Sequence, residues 1–244
     1  MSFASEVRNE LCRILPDKRC CRIAECYGIL MYCNTCSKQE IKVVTESKSF
    51  AELLPRLFRR TFGLEFDQFP SLEQPGKMTF VIDDPEKLDD IFSAYGQEHE
   101  ALALHVNFGL LEGDCCRQSF MRGAFLAGGS VTDPDKRYHL ELVTSHQKVG
   151  DETYQLLLEM GFSPMDAQRS GSRILYFKRS DMIVDFLTAA GAPVCAMKII
   201  EAKMEKELRN GVNRRCNCDT ANLGKAVDAA QQQLIAIRRL RDSG

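Results

Sequence analysis

Apolar residues recur at helical spacing from the first residues of the chain. Phe3, Val7, Leu11 and Ile14 share one face, which predicts a helix from about Phe3 to Leu15, ended by Pro16-Asp17. From Cys20 to about Asn34 the pattern is apolar nearly all round, as in Ile23, Ala24, Tyr27, Ile29 and Leu30. Such a helix is buried on most sides. Ile41–Thr45 is β-branched and predicts a strand. Ser49, with Glu52 three residues on, reads as the cap of a helix over Phe50–Phe62, with a kink expected at Pro55. Two strands are expected at Leu64–Phe69 and Lys77–Ile82. A short helix from Asp84-Pro85 to Tyr95 is closed by Gly96. In the weaker pattern of Gln97–Gly113, His105–Phe108 reads as an edge strand or a connector.

The pattern then starts again. Cys115-Cys116-Arg117 echoes Cys20-Cys21-Arg22 at an offset of 95 residues. A helix through Ser119–Val131 follows, then a strand at His139–Thr144, a helix at Gln147–Met160, a strand at Ser172–Lys178 and a helix at Asp181–Ala190. Short uncertain strands fall near Tyr32–Gln39 and Ser130–Asp133. The halves are about 20–96 and 115–191, inside a domain 20–192 preceded by a helix in 1–19. A repeat this long is not a solenoid unit; two copies imply an α+β domain with a pseudo-two-fold axis. The second-half helix carries a small-residue stripe, Gly123, Ala127 and Gly128, and the first-half helix carries Gly28. Glycine inside a helix costs about 0.5–1 kcal/mol relative to alanine, so a close backbone is expected at that face. The two helices are therefore expected to pack on each other through Gly28, Gly123, Ala127 and Gly128.

Beyond Pro193 the repeat is over. A helix over Val194–Arg209, a polar break at Gly211–Cys218 and a last helix capped by Asp219 are expected, with Leu223, Val227, Ala230, Leu234 and Ile237 on one face. Residues 193–244 read as a helical linker. Charge changes the picture only here: Lys198–Arg241 carries a net +5, against −6 for Met1–Met197. No apolar run is long enough to cross a membrane and the start has no signal-peptide pattern, so a cytoplasmic protein, nucleoid-associated where it meets DNA, is expected.

In that compartment the 11 cysteines are thiols or metal ligands before they are disulfides. Cys33-x-x-Cys36 and Cys216-x-Cys218 resemble zinc half-sites but lie far apart, and zinc needs four ligands in one cluster. Cys20-Cys21 and Cys115-Cys116 read as packing at two helix starts. No metal, cofactor or small-molecule substrate is expected. His99, His105, His139 and His146 form no spaced motif with a nucleophile, and no phosphate-binding glycine loop is present.

Arg122-Gly-Ala-Phe-Leu-Ala-Gly-Gly-Ser-Val131 resembles the LAGLIDADG helix of homing endonucleases. The chain as a whole resembles the WhiA family of bacterial regulators. The match is carried by Met1-Ser-Phe-Ala-Ser-Glu-Val-Arg-Asn-Glu-Leu11, Cys20-Cys21-Arg22, the helix just quoted, and Asn213-Arg-Arg-Cys-Asn-Cys-Asp-Thr-Ala-Asn222. The resemblance implies a duplicated LAGLIDADG-like fold, two αββαββα-type halves with saddle-shaped sheets. It also implies roles in transcription, sporulation, cell division and chromosome segregation. DNA is the implied partner, mainly through a C-terminal helix-turn-helix domain for which this chain leaves no room, and a protein such as a sigma factor is a second. The chain is then expected to be a piece of a longer protein.

In the LAGLIDADG pattern a carboxylate before the last glycine of each helix holds a divalent metal. Here Gly128 and Cys33 stand at those positions. Neither can bind a hard cation as a carboxylate does. The expected role is a structural and protein-interaction module, not an enzyme. Two alternatives remain open. One is DNA binding through the sheets by Lys38, Lys42, Arg137 and His139, or through Arg214 and Arg215. The other is a metal-dependent endonuclease recruiting Asp133, Asp135 or Glu141.

Overall fold

A computed structural model describes residues 2–70, 76–96 and 104–242. The chain divides into two compact units, Met1–Ile200 and Glu201–Gly244. The first unit begins with α1 (Phe3–Leu11), whose Phe3, Val7 and Leu11 are buried. Then come α2 (Arg19–Tyr32), β1 (Thr35–Cys36), β2 (Ile41–Thr45), α3 (Lys48–Phe62), β3 (Met78–Ile82) and α4 (Pro85–Ala94). A short 3₁₀ turn at Phe108–Leu110 leads into the second half, so His105–Phe108 belongs to a connector and not to an edge strand. The second half comprises α5 (Asp114–Gly128), β4 (Gly129–Val131), β5 (Leu140–Thr144), α6 (Gln147–Glu159), β6 (Met165–Arg169), β7 (Ser172–Phe177) and α7 (Ser180–Ala190).

Each half has its own antiparallel sheet, ordered β1-β2-β3 in the first and β4-β5-β7-β6 in the second. β1 and β4 follow directly on the C-terminal ends of α2 and α5. The expected strand at Leu64–Phe69 does not form; it reduces to one bridge, Gln68 to Val81. The amides of Asp67 and Gln68 both donate to the Val81 carbonyl, at 2.8 and 3.2 Å, which doubles one residue against two and ends the ladder. Asp67 is meanwhile held by the amides of Asp83 and Asp84 at 2.9 and 3.0 Å. Its counterpart β6 does form. Ser170 and Gly171, at φ 49° and 82°, make a tight turn into β7.

Two local expectations shift. Ser47, not Ser49, caps α3, accepting from the Phe50 amide at 3.4 Å. Ser49 instead donates to Asn9 Oδ1 at 2.7 Å, tying α3 to α1. Pro55 sits inside α3, which continues through it.

Within the first unit, α2 and α5 run side by side in the same direction. A Cβ built on Gly28 would collide with the Phe120 carbonyl and lie 2.9 Å from the Ala124 nitrogen. On Gly123 it would collide with the Glu25 carbonyl and lie 3.0 Å from the Ile29 nitrogen. The offset of 95 residues turns each of these contacts into the other, so the two glycines are mates about the pseudo-axis.

The expected break at Gly211–Cys218 is absent. α8 runs unbroken from Pro193 to Asp242. No proline follows Pro193 within it, and its two glycines, Gly211 and Gly224, cost about 1 kcal/mol each, which neighbouring turns absorb. In the unit Glu201–Gly244 this helix exposes Leu223, Val227, Leu234 and Ile237.

The contrast between glycines gives a test. Gly28→Ala, overpacking a backbone contact, is expected to cost about 1–3 kcal/mol in urea unfolding followed by circular dichroism. Gly211→Ala, with nothing within 4 Å of the new methyl, is expected to leave the main transition unchanged or raise helix stability by about 0.5–1 kcal/mol. Equal losses at both sites would contradict the close-packing account.

Candidate functional site

The C-terminal ends of α2 and α5 are where the endonuclease chemistry would sit. Cys33 caps α2. Its thiol donates to the Leu30 and Thr35 carbonyls at 3.2 and 3.0 Å, a buried structural role. Gly128 ends α5 against β5 and α2. A Cβ there would collide with the Val143 carbonyl and lie 2.9 Å from the Tyr32 ring. The space an aspartate needs at that position is filled. Thr144 Oγ1 donates to the Met31 carbonyl at 2.9 Å and pins the same end. Tyr32 is fully enclosed here, and burial pushes its hydroxyl well above the usual phenol range.

The acids offered as substitutes have other occupations. Glu141 meets Ser130 Oγ at 3.3 Å and His139 Nε2 at 3.3 Å. Asp133 accepts from the Asp135 amide at 3.0 Å in a turn. Among the described residues the one group of three or more His, Cys, Asp or Glu side chains close enough to share an ion is a cysteine group elsewhere on these helices.

The DNA-contact candidates are scattered. Lys42 lies on the partly exposed face of β2, opposite Thr35 and Val81. Lys38 is exposed in the β1–β2 turn, where the Ser37 amide meets the Glu40 carbonyl at 3.0 Å. His139 precedes β5 and lies tilted by 36° against Tyr176, ring centroids 5.6 Å apart, with Lys178 over the same Tyr176 ring at 5.2 Å. Arg137 is exposed in the turn before β5, its amide on the Asp133 carbonyl. Arg214 and Arg215 are exposed on α8 in the second unit. The outer face of the second sheet, Ser130, Glu141, Val143, Ile174 and Tyr176 with Met165, Ala167 and Arg169 of β6, carries one carboxylate and one arginine, with Lys178 over Tyr176 at its end.

Hydrophobic patterning gave no sign of the most deeply buried charges. Glu25 on α2 is completely enclosed, and Arg122 on α5 is 6% exposed. Arg122 Nη2 donates to Glu25 Oε2 at 2.8 Å and to Ser119 Oγ at 3.1 Å, while Nη1 donates to the Ala190 carbonyl at 3.1 Å. One arginine thus ties α2, α5 and the end of α7 together. Burial raises the Glu25 carboxyl above the usual carboxylate range, against the pull of Arg122. The signal available in the sequence was a charge on the apolar face of each of two helices expected to pair. The pseudo-symmetric counterpart of this ion pair is Tyr27 against Phe120, rings 5.8 Å apart. The Tyr27 hydroxyl donates to the His105 carbonyl at 2.6 Å.

Comparison with known proteins follows the same lines. A probable cell division protein WhiA of Alkaliphilus oremlandii is 34% identical over all of this chain and 80% or more of its own length, 81%. The chain belongs to the WhiA family. A second relative of the same name, from Ruminiclostridium cellulolyticum, is 34% identical over 100% of the chain and 80% of its own length. The WhiA LAGLIDADG-like domain model matches residues 117–209, and the WhiA C-terminal HTH domain model matches 212–244. Full-length DUF199/WhiA from Thermatoga maritima superposes with a TM-score of 0.70 at 21% identity, covering 91% of this chain and 73% of that one. The homing endonuclease I-DmoI, in complex with DNA and Mn, superposes at 0.50 and 12% identity over 71% of this chain and 97% of that chain. The fold is therefore the duplicated LAGLIDADG-like one.

One expectation is corrected. The helix-turn-helix region is not absent from this chain: 212–244 match its model. It read as a linker because the sequence there offered a polar break and one further helix; the described residues up to Asp242 form one exposed helix instead, with no second helix joined by a turn.

Arg122→Ala is expected to cost about 3–5 kcal/mol, since it leaves Glu25 buried without its partner. The double replacement Glu25→Leu with Arg122→Met should recover most of that loss. Urea unfolding of the single and double variants gives the comparison; a double variant as weak as the sum of the singles would refute the pairing energetics.

Proposed function

We propose that this chain acts in a bacterial DNA-binding transcription regulator of cell division, with the LAGLIDADG-like unit serving as a non-catalytic structural and protein-interaction module. The observation that carries this reading is the pair Cys33 and Gly128 at the metal-binding positions, the second enclosed so tightly that a side chain has no room. Phosphodiester cleavage of the LAGLIDADG kind needs carboxylates there to hold the ion and position water. Without them the fold keeps its architecture and loses that reaction.

DNA contact is assigned to the region matched by the HTH model and to the basic stretch that enters it. Lys198–Arg241 carries a net +5. Exposed Arg214 and Arg215 stand adjacent in that stretch. Arginines there gain affinity by releasing counterions from phosphate. Lys38, Lys42, Arg137 and His139 are divided between two sheets and their turns and stand near carboxylates such as Glu141, so they have a minor part. The wider roles are control of sporulation, cell division and chromosome segregation, in the cytoplasm at the nucleoid, with a transcription protein such as a sigma factor as partner. The name of the curated relatives, cell division protein, supports this reading.

Two measurements test it. Supercoiled plasmid incubated with the full chain and Mg²⁺ or Mn²⁺ should stay intact; nicking that chelation abolishes would overturn the non-catalytic reading. Binding to duplex DNA should weaken steeply with salt. Arg214→Ala with Arg215→Ala should lower the slope of log affinity against log salt by about two. A slope lowered instead by Lys42→Ala and Arg137→Ala would move the DNA interface to the sheets.

A further inference from the structure

At their N-terminal ends, opposite Cys33 and Gly128, α2 and α5 each place two adjacent cysteines. Cys20 and Cys21 fall in the first turn of α2, Cys115 and Cys116 in the first turn of α5. Packing gathers the thiols of Cys20, Cys21 and Cys116 and sets Cys115 beside them. The sulfurs of Cys20 and Cys21 are 4.0 Å apart. Cys21 contacts Cys115 through its thiol, Cys115 contacts Cys116, and Cys116 contacts Cys20. The contacts close a ring. The sulfurs of Cys20, Cys21 and Cys116 all lie within 4.8 Å of one another.

The ring obeys the internal symmetry of the chain. An offset of 95 residues turns Cys20 into Cys115 and Cys21 into Cys116. The contact between Cys20 and Cys116 thereby becomes the contact between Cys115 and Cys21. The axis that relates Gly28 to Gly123 also relates the two cysteine pairs. A tetrahedral ion on such an axis can take two ligands from each half by the same geometry.

We propose that Cys20, Cys21, Cys115 and Cys116 form a tetrathiolate site for one zinc-class divalent ion, clamping the N-terminal ends of the helix pair. Four sulfurs at about 2.3 Å from zinc stand about 3.8 Å from each other. The 4.0 Å separation is near that value, whereas a disulfide needs about 2.05 Å. Thiolate sulfur selects zinc over the oxygen-seeking magnesium and calcium ions. Packing at the helix starts accounts for Cys21 and Cys116, each 6% exposed. It does not account for exposed Cys20, whose sulfur lies in that group of three, or for exposed Cys115 beside it. These two leave a route for the ion from solvent.

Burial raises the Cys21 and Cys116 thiols above their usual range, and the helix ends act against that. Neither α2 nor α5 has a side-chain cap at its N-terminus, so amide groups of both first turns face the site without one. Helix N-termini stabilise negative charge, and thiolate in particular. Lys18 adds positive charge beside Cys115. On binding, each thiol releases its proton to solvent as its sulfur–metal bond forms, and no electron is transferred.

The test uses the full chain, reduced and kept anaerobic. Protein purified without chelator should contain about one zinc per chain. Titration of the metal-free chain with Co²⁺ alone should give the strong visible d–d bands and near-ultraviolet sulfur-to-cobalt band of a tetrahedral thiolate site, saturating at one equivalent. Cys20→Ser with Cys116→Ser should abolish both. Cys216→Ser with Cys218→Ser, in the second unit, should leave both unchanged and controls for general thiol binding. An independent reading needs no variant: iodoacetamide labelling with mass mapping should show Cys20, Cys21, Cys115 and Cys116 protected until chelator is added. Exposed Cys216 and Cys218 should label throughout. Absence of the cobalt bands in the unaltered chain would overturn the proposal. So would zinc retained by the Cys20/Cys116 variant, iron with acid-labile sulfide in place of zinc, or disulfides between the two pairs.

Discussion

The close approach of α2 and α5 is the constraint on which the first unit depends. Each helix gives up a side chain at the crossing, Gly28 on one and Gly123 on the other, so that backbone meets backbone. Every nearby element is positioned from that crossing. β1 and β4 begin where the two helices stop, and each starts its own sheet. α7 is tied back to the pair through Arg122 and the Ala190 carbonyl. The cost of two interior glycines, about 1 kcal/mol each, is offset by the contact area that the approach opens to Tyr27, Phe120 and their neighbours.

The same crossing explains how an endonuclease-like fold accommodates Cys33 and Gly128 where the LAGLIDADG pattern has carboxylates. In this architecture the packing of the helices and the placing of catalytic groups are carried by the same two segments but by different residues. The glycines hold the crossing. The groups at the C-terminal ends are free to change once no ion has to be held, and here they have become part of the packing: Cys33 bonds to the carbonyls around it and Gly128 closes on Val143 and Tyr32.

Much of this was legible in the residues because it depends on local rules. Periodicity located α1, α2, α5 and β2. The Asp84-Pro85 start and the Gly96, Gly161 and Gly191 ends follow from capping chemistry, and all three glycines have positive φ. The repeat was legible because paired motifs survived at one offset. What was not legible depends on partners distant in the sequence. The strand at Leu64–Phe69 fails because two amides compete for one Val81 carbonyl. β6 has no β-branched residue and exists because β7 offers it an edge. Ser47 displaces Ser49 as a cap because Asn9 claims the Ser49 hydroxyl. The break near Gly211 rested on polarity, which an exposed helix tolerates. The four cysteines were visible as two pairs, but their convergence needed the direction and register of the helix pair.

Glu25 and Arg122 carry one more consequence, which concerns assembly. The duplication makes the halves alike in shape, and two copies of one half could in principle dock on each other. At the crossing, however, the position of Glu25 faces the position of Arg122 on one side, and Phe120 faces Tyr27 on the other. Two first halves docked in this register would set Glu25 against Tyr27; two second halves would set Arg122 against Phe120. Each arrangement leaves buried charge without its counter-ion, twice over, at a cost of several kcal/mol per site. The pair therefore works as a key that distinguishes a half from its own copy. It directs each half to a half of the other kind and disfavours pairing of two like halves from neighbouring molecules during folding.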